Sequence, residues 1–239
     1  YSKIPGVSGG TSYWSITPLV SGKNYTSSGI PIGFEEDTQY FGKLESRILK
    51  QLFAVDSSVK FCADTEEFYQ KTALQLLTCE ELTLISVWSP TFLTILCDYM
   101  SENAVSLCDQ LAQNGYGRRA CHIKEPLIAG RFSEVFPQLR LISCWADGSA
   151  ADYIGGVRER FPGVAIQPKG LLATECFVSF PLVSEQGSRL SIYSHFFEFR
   201  SLSDGRIYPA DRLKPGEYEL IVTTGGGFYR YCIGDIIEV

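Results

Sequence analysis

The stretch PKGLLATECF, residues 168–177, separates two parts of the sequence that have different hydrophobic patterns. It is a turn of small residues that ends in the hydroxyl of Thr174 and the carboxylate of Glu175, and strand-like apolar runs flank it. Gly170 permits backbone conformations that are closed to other residues. Because burying an unpaired carboxylate is costly, Glu175 is predicted either to hold a ligand or metal or to lie in a surface turn.

The part before this stretch alternates between strand-like and helical patterns. Continuous apolar runs at 82–88 and 139–145 are typical of strands buried on both faces, and a third short strand is predicted at 164–166. Helices are predicted at 37–53, 64–77, 89–99, 104–113, 127–136 and 147–161. Strands that alternate with helices predict a parallel or mixed sheet with flanking helices.

Ligands bind such sheets outside the carboxyl ends of the strands. Asp147, Gly148 and Ser149 follow the second buried run, at the start of a predicted helix. Their side chains are expected either to cap that helix or to contact a ligand, and both interpretations are open at this point.

The part after residue 170 is rich in strands. Strands are predicted at 177–182, 190–200 and 218–223, with hairpin turns at 185–188 and 214–217. Glu198 lies among aromatic residues of the second of these strands, so it is either a ligand contact or a structural carboxylate in an ion pair. We therefore predict an α/β part at residues 1–165 and a β-rich part at residues 166–239.

A second informative stretch is VTTGGGFYRYCIGDIIEV, residues 222–239. One strand enters a turn of three glycines, an aromatic strand leaves it, and Gly234 and Asp235 follow. A hairpin with Asp235 in a tight turn is one interpretation. The other is a carboxylate at a strand end, where its two oxygens could accept hydrogen bonds from both hydroxyls of a ribose.

Taken together, the two stretches resemble the acyl-adenylate-forming superfamily. Residues 170–182 and 220–239 are most similar to one branch of it, the auxin-responsive-promoter family of acyl-acid amido synthetases, and residues 88–93 and 195–199 also fit. The resemblance implies that the chain is part of the large domain of an adenylate-forming enzyme. It also implies a ligase that uses ATP and Mg²⁺ to adenylate a small carboxylic acid and then transfers the acyl group to an amino acid or amine.

The resemblance assigns roles to particular residues. Thr174 and Glu175 would be catalytic, and Glu175 would hold the Mg²⁺. The residues expected to bind the nucleotide are Ala173, Thr174, Tyr229, Arg230 and Asp235.

The family also has a lysine-bearing phosphate loop and a C-terminal lid domain. These would precede residue 1 and follow Val239, so the chain is expected to be a fragment that is inactive by itself. Two alternatives are open: a noncatalytic member that binds nucleotide or acts as a scaffold, and an adenylate-forming enzyme of another branch, such as an acyl-CoA ligase.

The composition disfavours several other classes of protein. The net charge of −6 and the lack of a basic cluster argue against a nucleic-acid partner. No run reaches the roughly 18 apolar residues needed to cross a membrane. The eight cysteines form no C-x-x-C pair, so they are predicted to be reduced thiols of a cytoplasmic protein rather than zinc ligands.

Overall fold

The structure is a computed structural model that describes residues 4–15, 24–28, 31–32, 52–182, 185 and 187–239. The chain divides into two compact units, Tyr1–Pro168 and Lys169–Val239. The predicted helix at 37–53 lies almost entirely outside the described residues. Among the described helices, none is long and apolar enough to cross a bilayer.

The first unit contains a parallel four-stranded sheet. Its strands, in spatial order, are β1 (Thr11–Trp14), β4 (Leu82–Ser86), β5 (Leu141–Cys144) and β6 (Ala165–Pro168). A separate antiparallel pair is formed by β2 (Asn24–Tyr25) and β3 (Pro31–Ile32). Every residue of β4 and β5 is buried, as their continuous apolar runs predict for strands covered on both faces.

Helices flank this sheet and complete its core. They are α1 (Thr65–Thr78), α2 (Pro90–Glu102), α3 (Ala104–Leu111), α4 (Gly117–Ile128), α5 (Phe132–Val135) and α6 (Ile154–Arg160). The Asp64 carboxylate caps α1 by accepting from the Glu67 amide at 2.8 Å. Ser89 caps α2, and Pro90 is its first residue. These caps confirm the predicted starts of both helices.

The sequence interpretation is right about the end of α3 and wrong about the residues that follow it. Gly115 has a left-handed φ of 91°, which breaks the helical path after α3, in agreement with the predicted end at 113. A further helix, α4, then begins at Gly117, where no helix was predicted. The predicted helix at 127–136 does not form as one element. Instead α4 ends at Ile128, Gly130 takes a φ of 68°, and the short α5 follows. A left-handed residue at this place ends a helix, which is why the pattern is interrupted.

The predicted helix at 147–161 is also divided. Residues Gly148–Tyr153 form a 3₁₀ helix, and only the last part, α6, is α-helical. The Asp147 side chain makes no capping hydrogen bond to this turn. The capping interpretation of Asp147 is therefore wrong.

Arg119 is a buried cation in the helical layer of the first unit. Its Nε donates to the Leu77 carbonyl at 3.1 Å and its Nη2 to the Val135 carbonyl at 2.7 Å. Burial lowers the pKa of its guanidinium. These two bonds satisfy carbonyls near the ends of α1 and α5, where the helices have no further amide to offer.

We expect Arg119→Met to destabilise the protein by about 2 kcal/mol, because it leaves two carbonyls without their donor. Urea denaturation of the full-length protein measures this difference. The matched control is Arg118→Met, which changes an exposed neighbour and should leave the free energy of unfolding nearly unchanged. Equal stability of the two variants would contradict this account of Arg119.

The second unit is built from antiparallel strands. Its four-stranded sheet has, in spatial order, β10 (Ile207–Pro209), β9 (Phe196–Ser201), β11 (Glu217–Thr223) and β12 (Tyr231–Glu238). A second pair is formed by β7 (Ser179–Pro181) and β8 (Ser188–Leu190). A parallel sheet with helices followed by antiparallel strands confirms the predicted fold class.

Two details of the second unit differ from the prediction. The predicted strand at 190–200 is two strands, because a turn at 192–194 separates β8 from β9. The short strand β10 was not predicted. The first unit extends to Pro168, a few residues beyond the predicted boundary, because β6 pairs with β5 along its whole length.

Candidate functional site

The Thr-Glu turn lies at the start of the second unit. Leu172 and Phe177 form an antiparallel bridge, and the Ala173 amide donates to the Cys176 carbonyl at 3.1 Å. Thr174 and Glu175 therefore lie at the tip of a tight turn. The Thr174 hydroxyl donates to Glu175 Oε2 at 2.9 Å, so the two side chains that carry the predicted chemistry are already in contact.

Gly170 is required for a different reason from the one predicted. It is not among the glycines with positive φ. A Cβ at this position would lie 2.0 Å from the carbonyl oxygen of Ser179 and 2.8 Å from the Cα of Phe180. The Leu171 amide also donates to Ser179 Oγ at 2.9 Å. Gly170 thus allows two backbone segments to approach closely at the base of the turn.

Asp235 lies within β12 at a β-bulge, and not at a strand end or in a tight turn as predicted. In the pairing of β11 with β12, Glu219 lies opposite Ile236 and Ile221 lies opposite Cys232. Between these pairs β11 has one residue, whereas β12 has three, the last of which is Asp235. Gly234 takes a φ of 93° there, a conformation that favours glycine.

The bulge leaves Asp235 on the inner face of β12. Ile233, Asp235 and Ile237 are half-buried and alternate with exposed residues. Ile233 and Ile237 pack on the core of the second unit, which includes Cys176 and Val178. The carboxylate of Asp235 is therefore presented on the same face as the segment that forms the Thr-Glu turn.

Cys176 is the point at which the two motifs meet. Its side chain is 5% exposed, and burial is the main cause that raises the pKa of its thiol. The negative charges of Glu175 and of Asp235 raise that pKa further, so both carboxylates lie within electrostatic reach of the same sulfur. Cys176 is thus a buried, neutral thiol in the core of the second unit, and its raised pKa disfavours a role as a nucleophile.

The other two predicted nucleotide contacts lie at the entrance to β12. Tyr229 is 81% exposed. Arg230 donates through Nε to Glu198 Oε2 at 2.9 Å, which confirms the interpretation of Glu198 as an ion-paired carboxylate. In the described part of the second unit, no hydrogen bond or ion pair joins Tyr229 or Arg230 to the Thr-Glu turn.

The residues of the turn suit a magnesium ion. Mg²⁺ binds oxygen ligands, and proteins commonly hold it with one or two carboxylates while substrate phosphates and waters complete its coordination. Glu175 is half-buried at the tip of the turn, and its Oε2 accepts a hydrogen bond from the Thr174 hydroxyl, which leaves Oε1 available to a metal ion. No group of three or more metal-ligating side chains occurs among the residues that the structure describes.

Aromatic side chains that the sequence interpretation did not connect lie at one edge of the first unit. Trp14 ends β1, Trp88 follows β4 and Trp145 follows β5, and these strands are parallel, so all three indoles lie at the carboxyl edge of the sheet. They are 42–47% exposed. The rings of Trp88 and Trp145 are 5.5 Å apart, and the Trp145 amide donates to the Trp88 carbonyl at 2.8 Å. The tryptophan that ends each of the apolar runs 82–88 and 139–145 was the signal that could have revealed this edge.

Known proteins share this architecture. Over its whole length the fold superposes on the GH3.15 acyl acid amido synthetase with a TM-score of 0.76 at 19% identity. It also superposes on the AtGH3.15 acyl acid amido synthetase in complex with 2,4-DB, with a TM-score of 0.79 at 19% identity. In each case the chain covers 46% of the solved chain. The fold is therefore that of acyl acid amido synthetases.

Sequence comparison identifies the family. Residues 2–129 match the GH3 family N-terminal domain, and residues 189–239 match the GH3 family central domain. The chain is 28% identical over 149 residues to a probable indole-3-acetic acid-amido synthetase GH3.6 of Oryza sativa subsp. japonica, a match that covers 55% of this chain and 30% of that protein. It is also 28% identical over 131 residues to the indole-3-acetic acid-amido synthetase GH3.10 of Arabidopsis thaliana, covering 46% of this chain and 22% of that protein. The chain belongs to the GH3 family and spans less than half the length of these relatives.

Proposed function

We propose that the full-length protein is an ATP-dependent acyl-acid amido synthetase and that this chain supplies its ribose-binding and magnesium-binding residues. The observation that carries the proposal is the position of Asp235 on the inner face of β12, between Ile233 and Ile237, which pack on the core that contains Cys176 of the Thr-Glu turn. Two separate segments thereby present carboxylates on one face of the second unit. Membership of the GH3 family, whose relatives bear names of amido synthetases, supports the same conclusion.

The proposed reaction has two steps. The carboxylate of the acid attacks the α-phosphate of ATP, which forms an acyl-adenylate and releases pyrophosphate. The amine of an amino acid then attacks the acyl carbon, which forms the amide and releases AMP. Because no covalent bond to the protein is formed in either step, the protein acts by positioning the substrates and by stabilising charge.

Each residue of the candidate site has a role in this proposal. Asp235 accepts hydrogen bonds from the two ribose hydroxyls, while Ala173 lets the nucleotide approach the main chain and Thr174 contacts the AMP phosphate. Tyr229 and Arg230 contact the nucleotide from the entrance to β12. Glu175 holds Mg²⁺, which when bound neutralises charge on the phosphates.

The carboxyl edge of the first unit suggests the class of acid. Exposed indoles are costly in water, and aromatic rings bind planar aromatic molecules well. Relatives are named for indole-3-acetic acid, which has an aromatic ring. We therefore propose that Trp88 and Trp145 contact an aromatic carboxylic acid. The eight free thiols support a cytoplasmic location for the protein.

The experiment that tests the proposal incubates the full-length protein with ATP, Mg²⁺ and panels of carboxylic acids and amino acids. Mass spectrometry then measures AMP and the amide, and we expect aromatic acids to be the best substrates. A parallel reaction with coenzyme A in place of the amino acids tests for an acyl-CoA ligase. A thioester without amide would establish the ligase alternative, and bound ATP without any product would establish a noncatalytic protein.

We expect Glu175→Gln to impair the magnesium-dependent step more than nucleotide binding. The amide keeps the shape of the side chain but is a much poorer ligand for Mg²⁺ than a carboxylate. ATP–pyrophosphate exchange at limiting Mg²⁺ should fall on the order of tenfold, while the dissociation constant of ATP changes little. The control is Glu217→Gln, an exposed change in the same unit. Wild-type exchange by Glu175→Gln at limiting Mg²⁺ would show that Glu175 is only structural.

A further inference from the structure

Arg230 has an unusual backbone. It is the one residue other than glycine with a positive φ, 48°, in the part of the chain that the structure describes. A side chain with a Cβ is disfavoured in this left-handed conformation, which persists only when surrounding contacts hold it. Arg230 directly precedes β12, so its conformation sets the direction in which the chain enters that strand.

Two contacts hold Arg230 in this conformation. Its amide donates to Thr223 Oγ1 at 3.0 Å, and its Nε donates to Glu198 Oε2 at 2.9 Å. The Glu198 side chain is only 18% exposed, so the ion pair is shielded from water on one side. Glu198 lies on β9 opposite Ile221 of β11, and Ile221 lies opposite Cys232 of β12. The ion pair therefore crosses β11 and ties the start of β12 to the middle of the sheet.

The segment before Arg230 has little else to restrain it. Residues 225–227 are three consecutive glycines, which have the greatest backbone freedom in an unrestrained chain. Hydrogen bonds between Thr224 and Phe228 close this turn, and the Phe228 and Tyr231 rings lie 4.7 Å apart. These contacts are local to the turn. The Glu198 contact is the one that connects it to another strand through a charged pair.

We propose that Glu198 is a positioning residue for the nucleotide site. By holding Arg230, it fixes the pairing of Tyr231 and Cys232 with β11 and so the place of the bulge that presents Asp235. The inference rests on the proposed function, since it assigns to Glu198 an effect on ribose recognition by Asp235.

A second ion pair in the same sheet offers a matched control. Arg200 Nη1 donates to Glu219 Oε2 at 2.6 Å, and these two residues lie directly opposite each other on β9 and β11. Glu219 is half-buried like Glu198 but has no contact with Arg230. Glu219→Gln therefore breaks an ion pair between the same two strands and leaves the Glu198–Arg230 pair in place. Arg200 also donates through Nη2 to Cys232 Sγ at 3.8 Å, and this contact does not involve Glu219.

The test compares Glu198→Gln with Glu219→Gln in the full-length protein. Calorimetry measures the dissociation constants of ATP and of 2′-deoxyATP, and hydrogen exchange measures the protection of amides 225–231 without nucleotide. For Glu198→Gln we expect the preference for ATP over 2′-deoxyATP to fall about fivefold and the exchange of these amides to rise about tenfold. Glu219→Gln should keep the wild-type values of both. If Glu198→Gln fails to fold, Glu198→Asp replaces it, because aspartate keeps the negative charge on a shorter side chain. Both its preference for ATP and its exchange rates should lie between those of the wild type and those expected for Glu198→Gln.

Each result supports or overturns the inference. Unchanged exchange in Glu198→Gln overturns it whether or not the protein binds ATP. Faster exchange with an unchanged preference for ATP also overturns it, because Glu198 would then hold the turn without affecting the ribose. If the wild-type protein does not bind ATP, both the proposed function and the inference are overturned. If the wild-type protein prefers ATP over 2′-deoxyATP and Glu198→Gln shows the same preference as Glu219→Gln, only the inference is overturned.

Discussion

Asp235→Ala should weaken ATP binding to the full-length protein roughly 30- to 150-fold without unfolding it. Hydrogen bonds to a charged acceptor are stronger than those between neutral groups, and losing the pair made to the ribose should cost about 2–3 kcal/mol. Removing Asp235 also removes one of two negative charges near Cys176. The folded state therefore has no reason to lose stability, and the loss should appear in binding alone.

Calorimetric titration with ATP measures this effect, and thermal unfolding of the same samples measures stability. Asp211→Ala is the matched control, because Asp211 is an exposed aspartate in the same unit and lies in the 3₁₀ turn Ala210–Arg212. An Asp235→Ala protein that binds ATP as tightly as Asp211→Ala would remove Asp235 from the nucleotide site.

Gly170→Ala should destabilise the second unit by about 3 kcal/mol. The added Cβ would lie 2.0 Å from the Ser179 carbonyl oxygen and 2.4 Å from its carbonyl carbon. Both are backbone atoms, so no side chain can rotate away, and the two segments at the base of the Thr-Glu turn must separate. The hydrogen bonds that Leu171 makes to Ser179 would be strained at the same time.

Urea denaturation and hydrogen exchange of amides 171–179 measure this change. The control is Gly225→Ala, because a Cβ at that position meets no atom within 4 Å. It should change stability by less than about 1 kcal/mol. If Gly170→Ala proved as stable as Gly225→Ala, the close approach of the two segments would be wrong.

Local signals in the sequence were sufficient for much of the fold. The runs at 82–88 and 139–145 are short and mostly apolar, which favours strands covered on both faces, and β4 and β5 are buried along their whole length. Asp64 and Ser89 start helices through hydrogen bonds to residues two or three positions along, so their effect is readable from the sequence itself. The hydroxyl and carboxylate of the Thr-Glu turn are readable for the same reason.

Features that depend on distant partners could not be predicted in this way. The bulge at Asp235 arises from the pairing of β12 with β11, and the pattern of β12 alone gives no register. The need for Gly170 arises from the backbone of Ser179, which reaches it only once the turn is folded. The helix α4 was missed because its buried residues include a charged one, Arg119, whose partners are carbonyls of two other helices.

The central claim is that the two carboxylate-bearing segments serve one adenylating site. The most direct measurement is ATP–pyrophosphate exchange by the full-length protein, with and without an aromatic carboxylic acid, alongside Asp235→Ala and Glu175→Gln. We predict that the wild-type protein catalyses exchange only when both the acid and Mg²⁺ are present. Each substitution should lower the exchange rate by at least on the order of tenfold. The claim would be contradicted if neither substitution reduced the exchange rate of the wild-type protein. It would also be contradicted if the protein bound ATP but showed no exchange that depends on the acid.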